Sequence, residues 1–160
     1  DPPWSYANWS GEQNPSAFQS AAHTYPTMST DDICAMPVAD HAGEDAVLFL
    51  WATSPLLPDA LRVMEAWGFE YKACMVWVKN RAPGLGWWVQ TYHELLLIGV
   101  RGQMPPQGRP KSVVTAPVTE HSRKPDEFYS VIESMYPGGA YLELFARRTR
   151  DNWVAFGNEV

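Results

Sequence analysis

The apolar run Ala46-Val47-Leu48-Phe49-Leu50-Trp51 most narrows what this chain can fold into. It shows neither a helical stripe nor strict alternation, and it lies between a polar turn at residues 41–45 and Pro55. That pattern suits a strand buried on both faces, which needs a covering layer on each side. The chain supplies cover at once: Leu57, Leu61, Met64 and Trp67 recur at helical spacing and end at Gly68, a residue suited to a left-handed cap. Further strands are expected at residues 69–79, centred on Val76, Trp77 and Val78, and at residues 94–100, with two more at 141–145 and 153–156 completing the same sheet. Pro125, followed by Asp126 and Glu127, marks a second helix start, with Phe128, Ile132 and Met135 as its apolar stripe and Pro137-Gly138-Gly139 as its stop. A short helix is expected at residues 33–36, started by Ser29 and stopped by Pro37. Residues 5–26 and 80–92 read as loops, and residues 104–117 as proline-rich and partly extended. Strands alternating with helices imply an α/β sheet with helices on both faces, one domain over residues 1–160.

The net charge of −6 argues against a generic nucleic-acid coat, but the cations are unevenly spread. Arg101, Arg109, Lys111, Arg123, Lys124, Arg147, Arg148 and Arg150 all fall in the C-terminal half and leave room for a local basic face. Cys34 and Cys74 are too few for a disulfide framework and have no zinc-type spacing with histidine, so no metal is expected and a reducing, cytoplasmic setting is the default. No apolar run is long enough to span a bilayer, and no membrane association is expected.

Asp1-Pro2-Pro3-Trp4 is the chemically distinctive stretch. Both prolines fix φ and lack an amide hydrogen, so this turn offers a carboxylate and carbonyl acceptors to a ligand that brings its own donors. Trp4 adds a flat face on which a base can stack; its plain structural alternative is a buried indole. In open α/β folds ligands lie outside the carboxyl ends of strands. The turn therefore reads as the loop after a strand, and a strand is expected ahead of Asp1, without which a sheet edge stays open. Such acceptors suit an exocyclic amine, whose nucleophilicity is held down by delocalisation of its lone pair into the ring.

Asp1-Pro2-Pro3-Trp4, the strand ending at Trp51, Ala66-Trp67-Gly68-Phe69, Trp77-Val78-Lys79, the Glu94 strand ending at Arg101-Gly102, His121-Ser122-Arg123-Lys124-Pro125, and Glu143-Leu144-Phe145-Ala146-Arg147 closing on Trp153 and Gly157-Asn158-Glu159 occur in this order. The succession resembles the adenine-N6 methyltransferase family with the Asp-Pro-Pro-Trp motif, which includes the catalytic subunit of the eukaryotic messenger-RNA adenosine methylase and bacterial and phage members. The resemblance implies a Rossmann-like methyltransferase fold with a mixed, mostly parallel sheet, S-adenosylmethionine as cofactor, and nucleic acid as partner, DNA ahead of RNA. It also implies a catalytic turn of Asp1, Pro2, Pro3 and Trp4. Cofactor contacts fall on Asp1, Lys124, Glu143, Leu144, Phe145, Arg147, Asn158 and Glu159, and base contacts on Trp4, Trp88, Glu94 and Lys124. Residues 5–26 and 80–92 are the candidates for holding an extruded base. Glu159 stands where the family often has a Gln-like residue, and a carboxylate also accepts from ribose hydroxyls.

Each nomination has a structural competitor. Lys124 alone would be a surface residue at a helix start, Glu94 a capping acid, His121 a satisfied histidine, and the arginine cluster a solvated face. Trp51, Trp67, Trp77 and Trp153 are expected in the core, whereas Trp87 and Trp88 in a glycine-rich loop are harder to account for by packing. An RNA methyltransferase and a noncatalytic, nucleic-acid-binding partner subunit of the same fold stand as alternatives, with homodimer and heterodimer both open.

Overall fold

The computed structural model describes residues 1–5, 26–80, 88–119, 123–158 and 160. Its main sheet has the order β1-β3-β2-β4, with β1 Ala46–Ala52, β2 Glu70–Lys79, β3 His93–Arg101 and β4 Val113–Ala116. Helix α1 (Thr30–Cys34) starts at Ser29, whose hydroxyl accepts from the Asp32 amide as an N-cap. A short helix not expected from the sequence, α2 (Val38–His41), ends at the first residue of the expected turn. Helix α3 (Leu57–Ala66) connects β1 to β2, and α4 (Glu127–Met135) precedes β5 (Tyr141–Leu144) and β6 (Trp153–Phe156).

Two expectations about the sheet are corrected. The main sheet is mixed, as expected, but not mostly parallel: β3 runs antiparallel to both β1 and β2, and among the described residues only β2–β4 is parallel in it. Inserting the returning strand β3 between β1 and β2 leaves those two parallel to each other but not bonded. In addition, β5 and β6 form a separate parallel pair and do not extend the main sheet. Strand β4, read as merely extended, pairs through Val76–Val113 to Lys79–Ala116.

Period-2 alternation sorts the apolar runs onto two faces. Leu50, Ala52 and Leu97 point toward α3, where Ala60, Val63, Met64 and Trp67 join Ile33 and Trp4 in one core. Trp51, Met75, Trp77, Leu96 and Ile98 point the other way and meet Phe128 and Met135 of α4. The buried indoles find acceptors: Trp67 Nε1 donates to the Ile33 carbonyl at 2.9 Å, and Trp77 Nε1 donates to that of Ala116 at 2.9 Å. Helix α3 turns slightly away from its expected stripe. Leu61 is exposed while Ala60 and Val63 are fully buried, because the helix rests on the sheet through its small residues. The close approach also uses Gly99, where an added Cβ would meet Met64 Sδ at 2.7 Å. In α4 the first helical residue is Glu127, two positions after Pro125.

This packing yields a contrast measurable by urea denaturation. Met64→Ala should lose about 2–5 kcal/mol through an uncollapsed cavity. Leu61→Ala, on the same helix, should stay within about 0.5 kcal/mol.

Candidate active site

The Asp1–Trp4 turn is held by its backbone. The Trp4 amide donates to the Pro2 carbonyl at 2.8 Å, the Met28 amide to the Pro3 carbonyl at 2.8 Å, and the Ser5 amide to the Met28 carbonyl at 3.1 Å. The carbonyls read as open acceptors are thus partly engaged, and the Asp1 carboxylate is the acceptor that faces a cavity. Trp4 is 5% exposed in the α3-side core, its Nε1 donating to the Trp51 carbonyl at 3.1 Å. The indole proposed as a stacking face therefore anchors the turn to the end of β1 and presents no open face to a base.

Opposite the turn, Lys124 stands shortly before α4, over the indole of Trp51 at 5.4 Å from the ring centre. Its Nζ lies 2.9 Å from Asp1 Oδ2 and 2.9 Å from Glu94 Oε2. Glu94 Oε1 in turn lies 2.5 Å from Lys79 Nζ. Strand geometry explains the group: Trp77 is paired with Glu94 across β2 and β3, and Lys79, two residues on, shares the face of Trp77. The two indoles form the floor, Trp51 and Trp77 meeting edge to face at 6.2 Å, with Phe128 at 4.8 Å from Trp51. Burial alone would raise the Glu94 carboxyl, but the charges and hydrogen bonds of Lys124 and Lys79 outweigh it and hold it below the usual glutamate range.

A cavity of about 630 Å³ brings together Asp1, Pro2, Lys124, Glu143, Leu144, Phe145 and Arg147 of the residues nominated from sequence. Glu143 is oriented by Tyr129, whose hydroxyl lies 2.9 Å from each carboxylate oxygen. Burial raises the Tyr129 hydroxyl, and it stays a donor. The guanidinium groups of Arg148 and Arg150 each stand 5.0 Å from the centre of the Tyr129 ring, and they are held by Asp126 and Glu133 of the α4 segment respectively. After β5 the backbone turns sharply at Phe145, whose φ of 59° lies in the left-handed region disfavoured for a phenylalanine. Gly157 permits this crossing, since an added Cβ would stand 2.3 Å from the Ala146 carbonyl oxygen.

Other nominated residues stand apart. Pro3 and Trp4 are outside the cavity lining, as are Trp88, which is 84% exposed, and Asn158, which is exposed at the end of β6. Glu94 touches the site through Lys124, with each of its oxygens facing a lysine. Glu159, Trp87, His121 and residues 6–25 and 81–87 lie outside the described residues. Lys79 and Tyr129 were missed; the period of β2, which sets Lys79 beside Trp77 and opposite the Glu94 strand, could have found the first.

The MT-A70 family profile matches residues 1–159. The chain belongs to the MT-A70 family of adenine-N6 methyltransferases. It is 30% identical over 177 residues to the type II methyltransferase M.MunI of Mycoplasma sp., a match covering all of this chain and 75% of that protein. Against the N(6)-adenosine-methyltransferase MT-A70-like protein of Drosophila melanogaster it is 32% identical over 147 residues, covering 85% of this chain. The human N(6)-adenosine-methyltransferase catalytic subunit METTL3 is 33% identical over 149 residues, again covering 85% of this chain. The chain spans about a quarter of the length of these last two relatives, 24% and 25%. No helix among the described residues is long and apolar enough to cross a membrane. The described residues hold no group of three His, Cys, Asp or Glu side chains placed to hold a metal ion.

The lowered Glu94 carboxyl makes a signed prediction about stability. A folded-state pKa below the unfolded value contributes stability that is full above the ordinary glutamate range and is lost as pH falls through the lowered value. Glu94→Gln should cost about 3 kcal/mol at pH 7, where it leaves the enclosed Lys79 without its carboxylate partner and Lys124 with Asp1 alone. In urea titrations the gap between the two proteins should narrow as pH falls below about 4.5.

Proposed function

We propose that residues 1–160 form one methyltransferase domain that transfers a methyl group from S-adenosylmethionine to the N6 amine of adenine in nucleic acid, DNA ahead of RNA. The observation that carries this reading is the Lys124–Asp1 contact at 2.9 Å on the wall of a cavity that Glu143 and Arg147 also line. The donor is a sulfonium with an amino-acid tail, and the cavity offers charges of both signs to it: carboxylates at Asp1 and Glu143, cations at Lys124 and Arg147. The residues present therefore fit the group. When bound, the donor supplies an electrophilic methyl carbon.

What the chain itself contributes is positioning and charge. Asp1 accepts from an amine N–H, which localises the nitrogen lone pair and stabilises the positive charge that develops on nitrogen. Lys124 keeps that carboxylate in place and can bind a donor carboxylate with its remaining hydrogen. The proton of the methylated amine is acidic, so no strong base is needed. Asn158 and Glu159 are assigned to the ribose hydroxyls, and Trp88, exposed beside β3, to the face of the base. Trp4 serves the reaction by fixing the turn.

Residues of both β1 and β5 line this cavity, so the donor would lie between the main sheet and the β5–β6 pair. The share of the type II methyltransferase that the chain covers, three times that of the adenosine methyltransferases, is what puts DNA first in this reading.

Calorimetric titration should show S-adenosylmethionine binding. Asp1→Ala should lower transfer of labelled methyl to an adenine-containing oligonucleotide by at least about 100-fold with the fold intact. Transfer surviving in that variant contradicts the role of the acid, and mass spectrometry scored separately for methylated deoxyadenosine and adenosine decides the nucleic acid.

A further inference from the structure

A lysine on a flexible stem goes where the negative charge around it is greatest, and Lys124 lies between two carboxylates. Glu94 and Asp1 each stand 2.9 Å from its Nζ, and the Glu94 side chain is the more enclosed, 13% exposed against 27% for Asp1. Left to itself, an enclosed carboxylate would draw a single ammonium onto both of its oxygens. It does not do so here, because Lys79 Nζ occupies Oε1 at 2.5 Å and is itself 9% exposed. Lys79 stands 4.9 Å from the centre of the Trp77 ring, as Lys124 stands over Trp51, so the four groups form an alternating row along one aromatic floor.

We propose that Lys79 is a positioning residue: by holding one oxygen of Glu94 it limits Glu94 to a single contact with Lys124 and keeps Lys124 bonded to Asp1. The row Lys79–Glu94–Lys124–Asp1 carries no net charge. Without Lys79 it carries one uncompensated negative charge, Glu94 and Asp1 compete for one ammonium, and the more enclosed acid takes it. Asp1 then loses the contact that fixes its carboxylate. Removing Glu94 as well ends the competition and returns Lys124 to Asp1, so the two substitutions should be strongly non-additive.

The test compares wild type, Lys79→Met and the double variant Lys79→Met/Glu94→Gln, by crystal structure and by kinetics. In Lys79→Met, Lys124 Nζ should leave Asp1 for Glu94; in the double variant it should stand within hydrogen-bond distance of Asp1 again. The kinetic arm rests on the proposed function: kcat should fall roughly 100-fold in Lys79→Met with KM for the oligonucleotide little changed, and recover most of that loss in the double variant. A plain loss of packing predicts no recovery, and a double variant as slow as the single one overturns the inference. So does Lys124 remaining at Asp1 in Lys79→Met, or lying away from Asp1 in the double variant, which stands as the test if the single variant cannot be purified. Wild-type protein that neither binds S-adenosylmethionine nor transfers methyl overturns the proposed function instead, and the position of Lys124 in the variant structures still decides for or against Lys79.

Discussion

The ammonium of Lys124, held between Asp1 and Glu94, is the contact on which the account of this molecule depends. It joins three segments far apart in the chain: the proline-fixed turn, the start of β3, and the approach to α4. Each is placed by a different part of the fold. Trp4 pins the turn to the end of β1, the β2–β3 register sets Glu94 opposite Trp77, and Phe128 seats α4 against Trp51. A charged cluster this enclosed is costly unless every member is paired, and here both oxygens of Glu94 have lysine partners. The aromatic floor serves the same end, since indole faces favour cations above them while excluding water.

Much of this was legible from the order of residues. The run from Ala46 to Trp51 marks a strand, Gly68 closes α3 with φ of 81°, and the order of motifs points to both Asp1 and Lys124. Where the sequence was less informative, the reason is physical. A period of apolar residues shows that a helix has a buried face, but not how deeply small residues allow it to sink, and so Leu61 was placed inside when Ala60 and Val63 are. Strand patterns carry no sign of direction, and β3 could be assigned antiparallel only from its position between β1 and β2. Val113–Ala116 is too short and too polar in its surroundings to read as a strand until its partner β2 is in place.

Function was legible through chemistry and less so through geometry. An acid followed by two prolines marks a donor-free acceptor, yet only coordinates show that two of the nearby carbonyls already accept amides and that Trp4 faces the core. Glu143 could be nominated, but not the Tyr129 hydroxyl that orients it or the pair of arginines around that ring. Tyr129 comes from α4 while Arg148 and Arg150 follow β5, so their meaning depends on how those two segments are brought together. Phe145 is a further case: nothing in its type announces a left-handed backbone, nor does the type of Ala146 announce that Gly157 passes close against it.

A crystal structure with S-adenosylhomocysteine bound would test the central claim most directly. The account predicts the ligand within the cavity lined by Asp1, Lys124 and Glu143, with its carboxylate or amino group at hydrogen-bond distance from the Asp1–Lys124 pair. A ligand bound elsewhere on the molecule, with that pair untouched, would contradict it.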